Sequence, residues 1–481
     1  MNQTKQKIND TEIPGCVRRL SNGERLWLWA PPACVSMAAR IIGSVSEKDL
    51  MMAIKAVRRL HPLLGVKVIF DERHDAWFST DNVPETALRI VPRRSENQWF
   101  EEIRYEHRIP FEPEIGPLIR FVLVSSPQVS ELVVFANHGI CDGDALTILI
   151  RDILVYYANP TKAAHVLQPP TFEECLPKDK FSLSGLITET FIKHYNRQWR
   201  KRPYYFNQTD FNELHKTYWD RMQYNIALIQ LEPEETSVLA AKCRENGVTI
   251  TSASTAAFLA AYRDILGPFP KERRLIAIAY DLRRHLKENI GDVFGLLAGA
   301  VQFKFNYNQN KSIWKNAQEI HRIIRKDVEG FKTMGRELSL FDPTLIDALG
   351  FCPFTQLVPE AFERTKNLSD FAHDTKNVAL SLSQKIISGA PGTINTNLGR
   401  LNYSETYGDL SLDRMFFIPG SSKFVPLILG GVGLNGKLIF SLNYVEKVGN
   451  NGSPLDRDMI RIRNRALELL GFPEKANDRA M

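Results

Sequence analysis

The chain has 481 residues, 44% hydrophobic and 24% charged, with a formal net charge of +6 at pH 7. That length predicts two domains of ordinary size, and the mild positive charge gives no case for nucleic acid while suiting anionic ligands. No stretch of about eighteen apolar residues occurs, which excludes a membrane-spanning helix, and the opening MNQTKQKINDTEIPG lacks the apolar core of a signal peptide.

The first fifteen residues are polar and are expected to be loosely ordered. From Val17 the pattern is globular. Ser46 to Asp49 reads as a capping box for a helix with Leu50, Ile54, Val57 and Leu60 on its apolar face. Pro62 ends that helix, and Gly65 to Phe70 alternates like a strand. His61, before the proline, reads as structural. Residues 116–124, GPLIRFVLV, read as a strand paired through a polar turn with the apolar run Leu132 to Ala136.

That run stops at Asn137-His138. A short loop, Gly139 to Gly143, follows, and then Leu146, Leu149, Ile150, Ile153, Leu154 and Tyr157 recur at helical spacing. A histidine at a strand-to-helix turn is placed where α/β scaffolds present reactive groups. Its near-neutral pKa lets it take a proton and return it. Asp142 has two roles open to it: orienting the imidazole as a triad carboxylate does, or turning away to pair with an arginine. Gly143 would let the chain turn into the helix without a Cβ clash.

The segment 176–222 changes character and reads as a linker. Within it, IKHYNRQWRKRPYYF carries Lys193, Arg197, Arg200, Lys201 and Arg202, a solvated helix face in preference to a phosphate or lipid surface. A strand is expected at Tyr224 to Leu231, then a helix between Pro233 and Gly247. An Ala-rich helix capped by Thr251 or Ser252 comes next, then a strand from Arg274 to Tyr280 that runs into Asp281-Leu282-Arg283-Arg284. A strand at Ala300 to Phe305 and an amphipathic helix at Ile313 to Val328 follow. Val378 to Leu382 reads as a strand before Thr396-Asn397-Leu398-Gly399. Strands at Met415 to Ile418 and Leu438 to Tyr444 and a helix from Leu455 to Leu470 close the chain. The six cysteines, Cys16, Cys34, Cys141, Cys175, Cys243 and Cys352, show no metal or redox spacing, so free thiols in a reducing cytoplasm are expected and no metal site is.

The sequence HGICDG, with RRLHPLLGVKVIF before it and Asp281-Leu282-Arg283 after it, resembles the condensation-domain and CoA-dependent acyltransferase superfamily. The likeness runs from about Val17 to Leu470 and is nearest in character to alcohol acetyltransferases and polyketide-associated acyltransferases of secondary metabolism. Asn137 stands where many members have a first histidine; the second, His138, is intact. The resemblance implies an α/β fold of two chloramphenicol-acetyltransferase-like lobes in a V, here 1–175 and 223–481 joined by 176–222, with a channel between them. It implies that His138 is the general base and that Asp142 and Arg283 form a salt bridge. Asn397 could steady the tetrahedral intermediate, or it could be an ordinary turn asparagine.

The expected reaction moves an acyl group directly from acyl-CoA or an acyl-phosphopantetheine carrier protein, as co-substrate, to an alcohol or amine. No bound cofactor is implied, and Cys141 is a weaker candidate nucleophile than His138. Alternatives are a free-standing nonribosomal-peptide condensation enzyme, a degenerate non-catalytic module that recruits partners, and a membrane-surface protein resting on the basic-aromatic stretch alone.

Overall fold

The computed structural model describes residues 14–171, 183–285, 291–329, 337–421, 423–449 and 453–475. The expectations for the first fifteen residues, for Cys175, for the start of the 176–222 segment and for the Arg284 side chain fall largely or wholly outside them.

Apolar runs buried on both faces build two six-stranded mixed sheets. The first runs, edge to edge, Thr406–Tyr407, Leu410–Ile418, Cys34–Ile42, Val129–Asn137, Ile119–Ser125 and Leu88–Pro92. The motif strand Val129–Asn137 sits inside it, antiparallel to both neighbours, with Val133 opposite Ala38 on one side and Val122 on the other. Burial on both faces explains why this strand reads as an unbroken apolar run and not an alternation. The second sheet runs Ala298–Lys304, Leu275–Asp281, Thr393–Arg400, Leu427–Leu434, Lys437–Lys447 and Met222–Leu231. Its Thr393–Arg400 strand is parallel to both neighbours. A small sheet of Cys16–Arg19, Ala76–Ser79 and Lys67–Phe70 stands beside the first.

Sheet membership does not follow chain order. Leu410–Ile418 leaves the second half of the chain and pairs with Cys34–Ile42, Phe416 opposite Ala38. The 183–221 region, from where it is described, is two helices, Leu183–Trp199 and Gln208–Arg221, and not a bare linker. Trp199, Phe211, Tyr218 and Trp219 are buried in the first core, as are Leu345 and Phe351 from a later helix. The basic-aromatic stretch divides by face: Ile192, Tyr195 and Trp199 are buried, while Lys193, Arg197, Arg200, Lys201 and Arg202 are exposed. Arg200 pairs with Asp342 and Arg202 with Asp374, so this is the solvated helix face.

Two readings change, and one strand is new. Val378 to Leu382 begins a helix, Val378–Ser388, because the Asn377 side chain accepts hydrogen bonds from the backbone N–H groups of Ala379 and Leu380. So short a stretch, with four apolar residues in five, cannot by itself separate strand from helix. The Ala-rich helix starts two to three residues earlier than expected, capped by Thr249. The strand Leu427–Leu434 was hidden by Gly430-Gly431, which resembles a turn. A Cβ at Gly430 would lie 2.6 Å from Ser441 Oγ and 2.7 Å from Pro419 Cδ, and one at Gly431 would lie 2.8 Å from Asn397 Oδ1. The glycines are there for close packing.

Candidate active site

The motif strand ends at Asn137 and the helix Gly143–Ala158 begins five residues after His138. Asn137 pins the turn: its Oδ1 accepts from Gly139 N at 2.8 Å. The His138 backbone N–H donates to the carbonyl of Ala33 at 2.9 Å, tying the loop to the neighbouring strand's start. Its ring stacks on Trp27, with centroids 4.8 Å apart. Trp27 lies on the helix Asn22–Leu28, set by a capping box in which Ser21 and Glu24 satisfy each other's backbone N–H groups.

The ring's hydrogen bonding fixes its tautomer. Nδ1 lies 2.7 Å from the carbonyl oxygen of Cys141. A carbonyl can only accept, so Nδ1 carries the hydrogen and Nε2 holds the lone pair. Nε2 has no hydrogen-bond partner among the described residues, and the residue keeps partial exposure. Loss of hydration pushes the imidazole pKa below its ordinary 6.5, against the opposing pull of the Cys141 carbonyl and the Asp142 charge. The ring is therefore neutral at pH 7, with a basic nitrogen available.

Asp142 does not orient this ring. It caps the helix, Oδ1 accepting from Ala145 N at 2.8 Å, and it is 2% exposed. Arg283 Nη1 donates to its two oxygens at 3.0 and 3.3 Å, and the backbone N–H of Leu297 donates to Oδ2 at 2.6 Å. Of the two roles open to Asp142, the arginine pairing is the one built. Arg283 is held firmly in turn: Nε donates to the carbonyl of Val293 at 3.0 Å, Nη2 to that of Gly295 at 2.9 Å, and Nη1 also to Asp281 at 3.1 Å. Burial alone would lower the guanidinium pKa; Asp142 and Asp281 outweigh it and hold it above its usual value. The pair joins the loop after one sheet to the strand end of the other.

Gly143 avoids a Cβ clash, as its place at the turn suggested, but the clash is with distant side chains and not with the turn itself. Its φ is not positive. A Cβ there would lie 2.6 Å from Phe417 Cζ and 2.8 Å from Leu398 Cδ2. The exchanged strand and the Thr393–Arg400 strand both press against the start of the motif helix, and only hydrogen fits.

Cys141 is fully buried, with Sγ facing the carbonyl of Asn137 at 3.9 Å. Burial, reinforced by the charges of Asp142 and Cys34, pushes its pKa well above the ordinary thiol range. A thiol so placed is poor in thiolate.

A cavity of about 440 Å³ reaches the loop from the helix side, lined by Asp142, Gly143, Asp144, Thr251, His321 and Asn397 among others. Asn397 belongs to strand Thr393–Arg400. Its Nδ2 donates to Thr251 Oγ1 at 3.3 Å, and its Oδ1 accepts from Gly399 N at 3.0 Å. The structure thus gathers Asp142, Gly143, Arg283 and Asn397 around the junction of the sheets; His138 does not line this cavity. The contributions of Trp27, Ala33 and Leu297 carry no signature in the sequence beyond the Ser21/Glu24 cap. Among the described residues, no three His, Cys, Asp or Glu groups converge as a metal set, and no helix is long and apolar enough to cross a membrane.

Two mixed sheets linked by an exchanged strand, with a histidine loop after an inner strand, make this the fold of condensation domains and CoA-dependent acyltransferases. No family model matches the chain, and no curated protein does. Solved structures do. The polyketide synthase associated protein 5 of Mycobacterium tuberculosis is 15% identical, with a TM-score of 0.58 over 95% of this chain and 99% of that one. The trichothecene 15-O-acetyltransferase of Fusarium sporotrichioides is 14% identical, with a TM-score of 0.59 over 95% and 94%. The first condensation domain of the CDA synthetase is 13% identical, with a TM-score of 0.59 over 97% and 100%. Likeness at this identity establishes the fold; the chemistry rests on the site.

Proposed function

We propose that the protein is an acyltransferase that moves an acyl group from a thioester to a hydroxyl or amine, with His138 as general base. The observation that carries this reading is the Nδ1–H bond to the Cys141 carbonyl, which leaves Nε2 unprotonated on a partly exposed ring. Nε2 takes the proton of the acceptor O–H or N–H as that atom bonds to the thioester carbonyl carbon. The oxyanion collapses, the C–S bond breaks, and the imidazolium returns the proton to the departing thiolate. Asp142 and Arg283 hold the loop. Asn397 spends one amide N–H on Thr251 and keeps a second that could meet an oxyanion.

The donor is an acyl-CoA or an acyl-phosphopantetheine carrier protein, bound as co-substrate. A carrier-protein partner is favoured by the condensation domain among the similar folds; in that case the reaction is a condensation and the histidine's work is the same. Cys34, Cys141, Cys243 and Cys352 are free thiols, in keeping with a cytoplasmic setting.

The test is a mass-spectrometric screen of acyl-CoA and acyl-carrier donors against alcohols and amines, repeated with His138→Ala. Turnover should fall on the order of 10²- to 10⁴-fold, as when a general base is removed. Near-normal turnover in a folded variant would sink the mechanism, and the absence of any product across the screen would favour a non-catalytic module.

A further inference from the structure

The second sheet's lobe holds a cavity apart from the catalytic loop. Its volume is about 480 Å³, and it lies between the end of helix Ile250–Leu266, the start of strand Leu275–Asp281 and the turn after strand Ala298–Lys304. Arg263, Arg273 and Arg274 line it, and among the described residues no aspartate or glutamate does. Their partners are neutral. Arg263 bonds to Gln309, Arg273 Nη1 donates to the Phe424 carbonyl at 2.5 Å, and Arg274 donates to the Phe269 carbonyl and to Asn306 Oδ1, both at 3.0 Å. Asp264, beside Arg263, is held by Arg465 at 2.8 Å. Three permanent positive charges thus face one hollow with no carboxylate among them. Guanidinium groups in that condition suit phosphate oxygens, which accept in the same planar, two-pronged geometry as a carboxylate.

A second observation points the same way. Thr393 lines the cavity, is 1% exposed, and its Oγ1 has no hydrogen-bond partner. Buried hydroxyls are normally bonded. Gly392 brings this residue against Arg273, since a Cβ at 392 would lie 2.0 Å from the Arg273 carbonyl oxygen. An acceptor among the arginines would satisfy the hydroxyl as well. Phe269, stacked on Tyr262 with centroids 3.9 Å apart, and the half-buried Tyr307 add aromatic faces at the wall.

The cavity is distinct from the one at the catalytic loop. The two share no lining residue. Thr251 and Arg263, one on each, stand about 18 Å apart along one helix. Between them the helix is closed onto the sheet, with Asn395 Nδ2 donating to Ser254 Oγ at 3.1 Å and Thr255 Oγ1 at 2.9 Å.

We propose that this cavity binds the phosphate-bearing part of a nucleotide, with the phosphates on Arg263, Arg273 and the Thr393 hydroxyl and the base against Phe269 and Tyr307. The size is within the range of small-molecule sites, about 300–1,000 Å³. A free nucleotide and the nucleotide end of coenzyme A share this chemistry.

Titration calorimetry on the full chain with ADP, inorganic pyrophosphate, adenosine and coenzyme A tests it. ADP and pyrophosphate should bind and adenosine should not. Arg263→Gln, at an exposed helix end, should weaken ADP about tenfold or more, as for a charge-assisted contact. Thr393→Val should weaken it several-fold. Both variants should keep the wild-type melting temperature without ligand. If coenzyme A weakens in step with ADP, the coenzyme is the source of the group; if its binding is unchanged, a free nucleotide is. Absence of ADP and pyrophosphate binding at low millimolar concentration would overturn the proposal. So would binding that neither substitution alters.

Discussion

Two histidines in the first lobe are built in opposite ways. His61, at the end of helix Glu47–Leu60, is 1% exposed, and its Nε2 lies 2.9 Å from Asp152 Oδ2. Arg151 grips the same carboxylate at 2.7 Å and reaches across to Asp292. By side-chain pairing alone, His61 resembles a catalytic dyad. Yet its Nδ1 is buried without a partner, and Phe294 leans on the ring. No substrate could reach it. His138 has no hydrogen-bonded carboxylate, but a backbone carbonyl fixes its tautomer and its other nitrogen is left open. Access to the basic nitrogen, and not a carboxylate neighbour, is what singles out His138 as the proposed base.

The largest separation between the two should come from replacing each ring. His138→Ala removes transfer, with the loss given above and an unchanged melting curve. His61→Asn should keep turnover within a few-fold and lower stability by about 1–3 kcal/mol, the cost of leaving a buried partner unsatisfied. Denaturant unfolding beside initial rates measures both, and a folded His61→Asn protein without activity would break the comparison.

Next in size is the clamp beside His138. Arg283→Ala should cost about 3–5 kcal/mol, since it leaves the buried Asp142 charge unpaired, and Asp142→Asn should cost less, since Arg283 keeps Asp281. Because the two act as one unit, the double variant should lose much less than the sum of the singles. Additive losses in a double-mutant cycle would show that the pair does not carry the coupling between the sheets.

A smaller effect is expected in the pH profile. The proposed base, His138, would work deprotonated, and its pKa lies below 6.5. Activity should therefore hold level as pH falls to 6.5 and decline only below it, through the lowered value. A decline centred above 6.5 would mean that the ring is more hydrated than its surroundings suggest.

The smallest effect should be that of Cys141→Ala. The thiol is buried, with its pKa raised, and a direct transfer makes no use of it. Turnover should persist, and intact-mass analysis of the wild type with donor alone should show no acyl adduct. An adduct on Cys141 together with lost turnover would replace the direct mechanism by a two-step one.

The sequence by itself determined whatever depends on neighbours in the chain. An apolar run, a polar turn and a helical repeat place His138 between strand and helix, because buried strands and amphipathic helices impose those spacings within a dozen residues. Pro233 and Gly247 bound a helix for equally local reasons, the glycine at φ +64°. Asp142 could be seen, but not its direction: whether it faced the imidazole or an arginine 141 positions away depended on how the two sheets meet. The same holds for Gly143, kept free of a side chain by Phe417 and Leu398, and for Gly430-Gly431, whose place in an inner strand is a matter of packing. Strand exchange by Leu410–Ile418 is likewise invisible to periodicity, since a strand's alternation says which faces are buried but not which sheet buries them. Local spacing places groups along the chain; which atoms they touch is settled by contacts between residues hundreds of positions apart, and those form only when the two sheets close on each other.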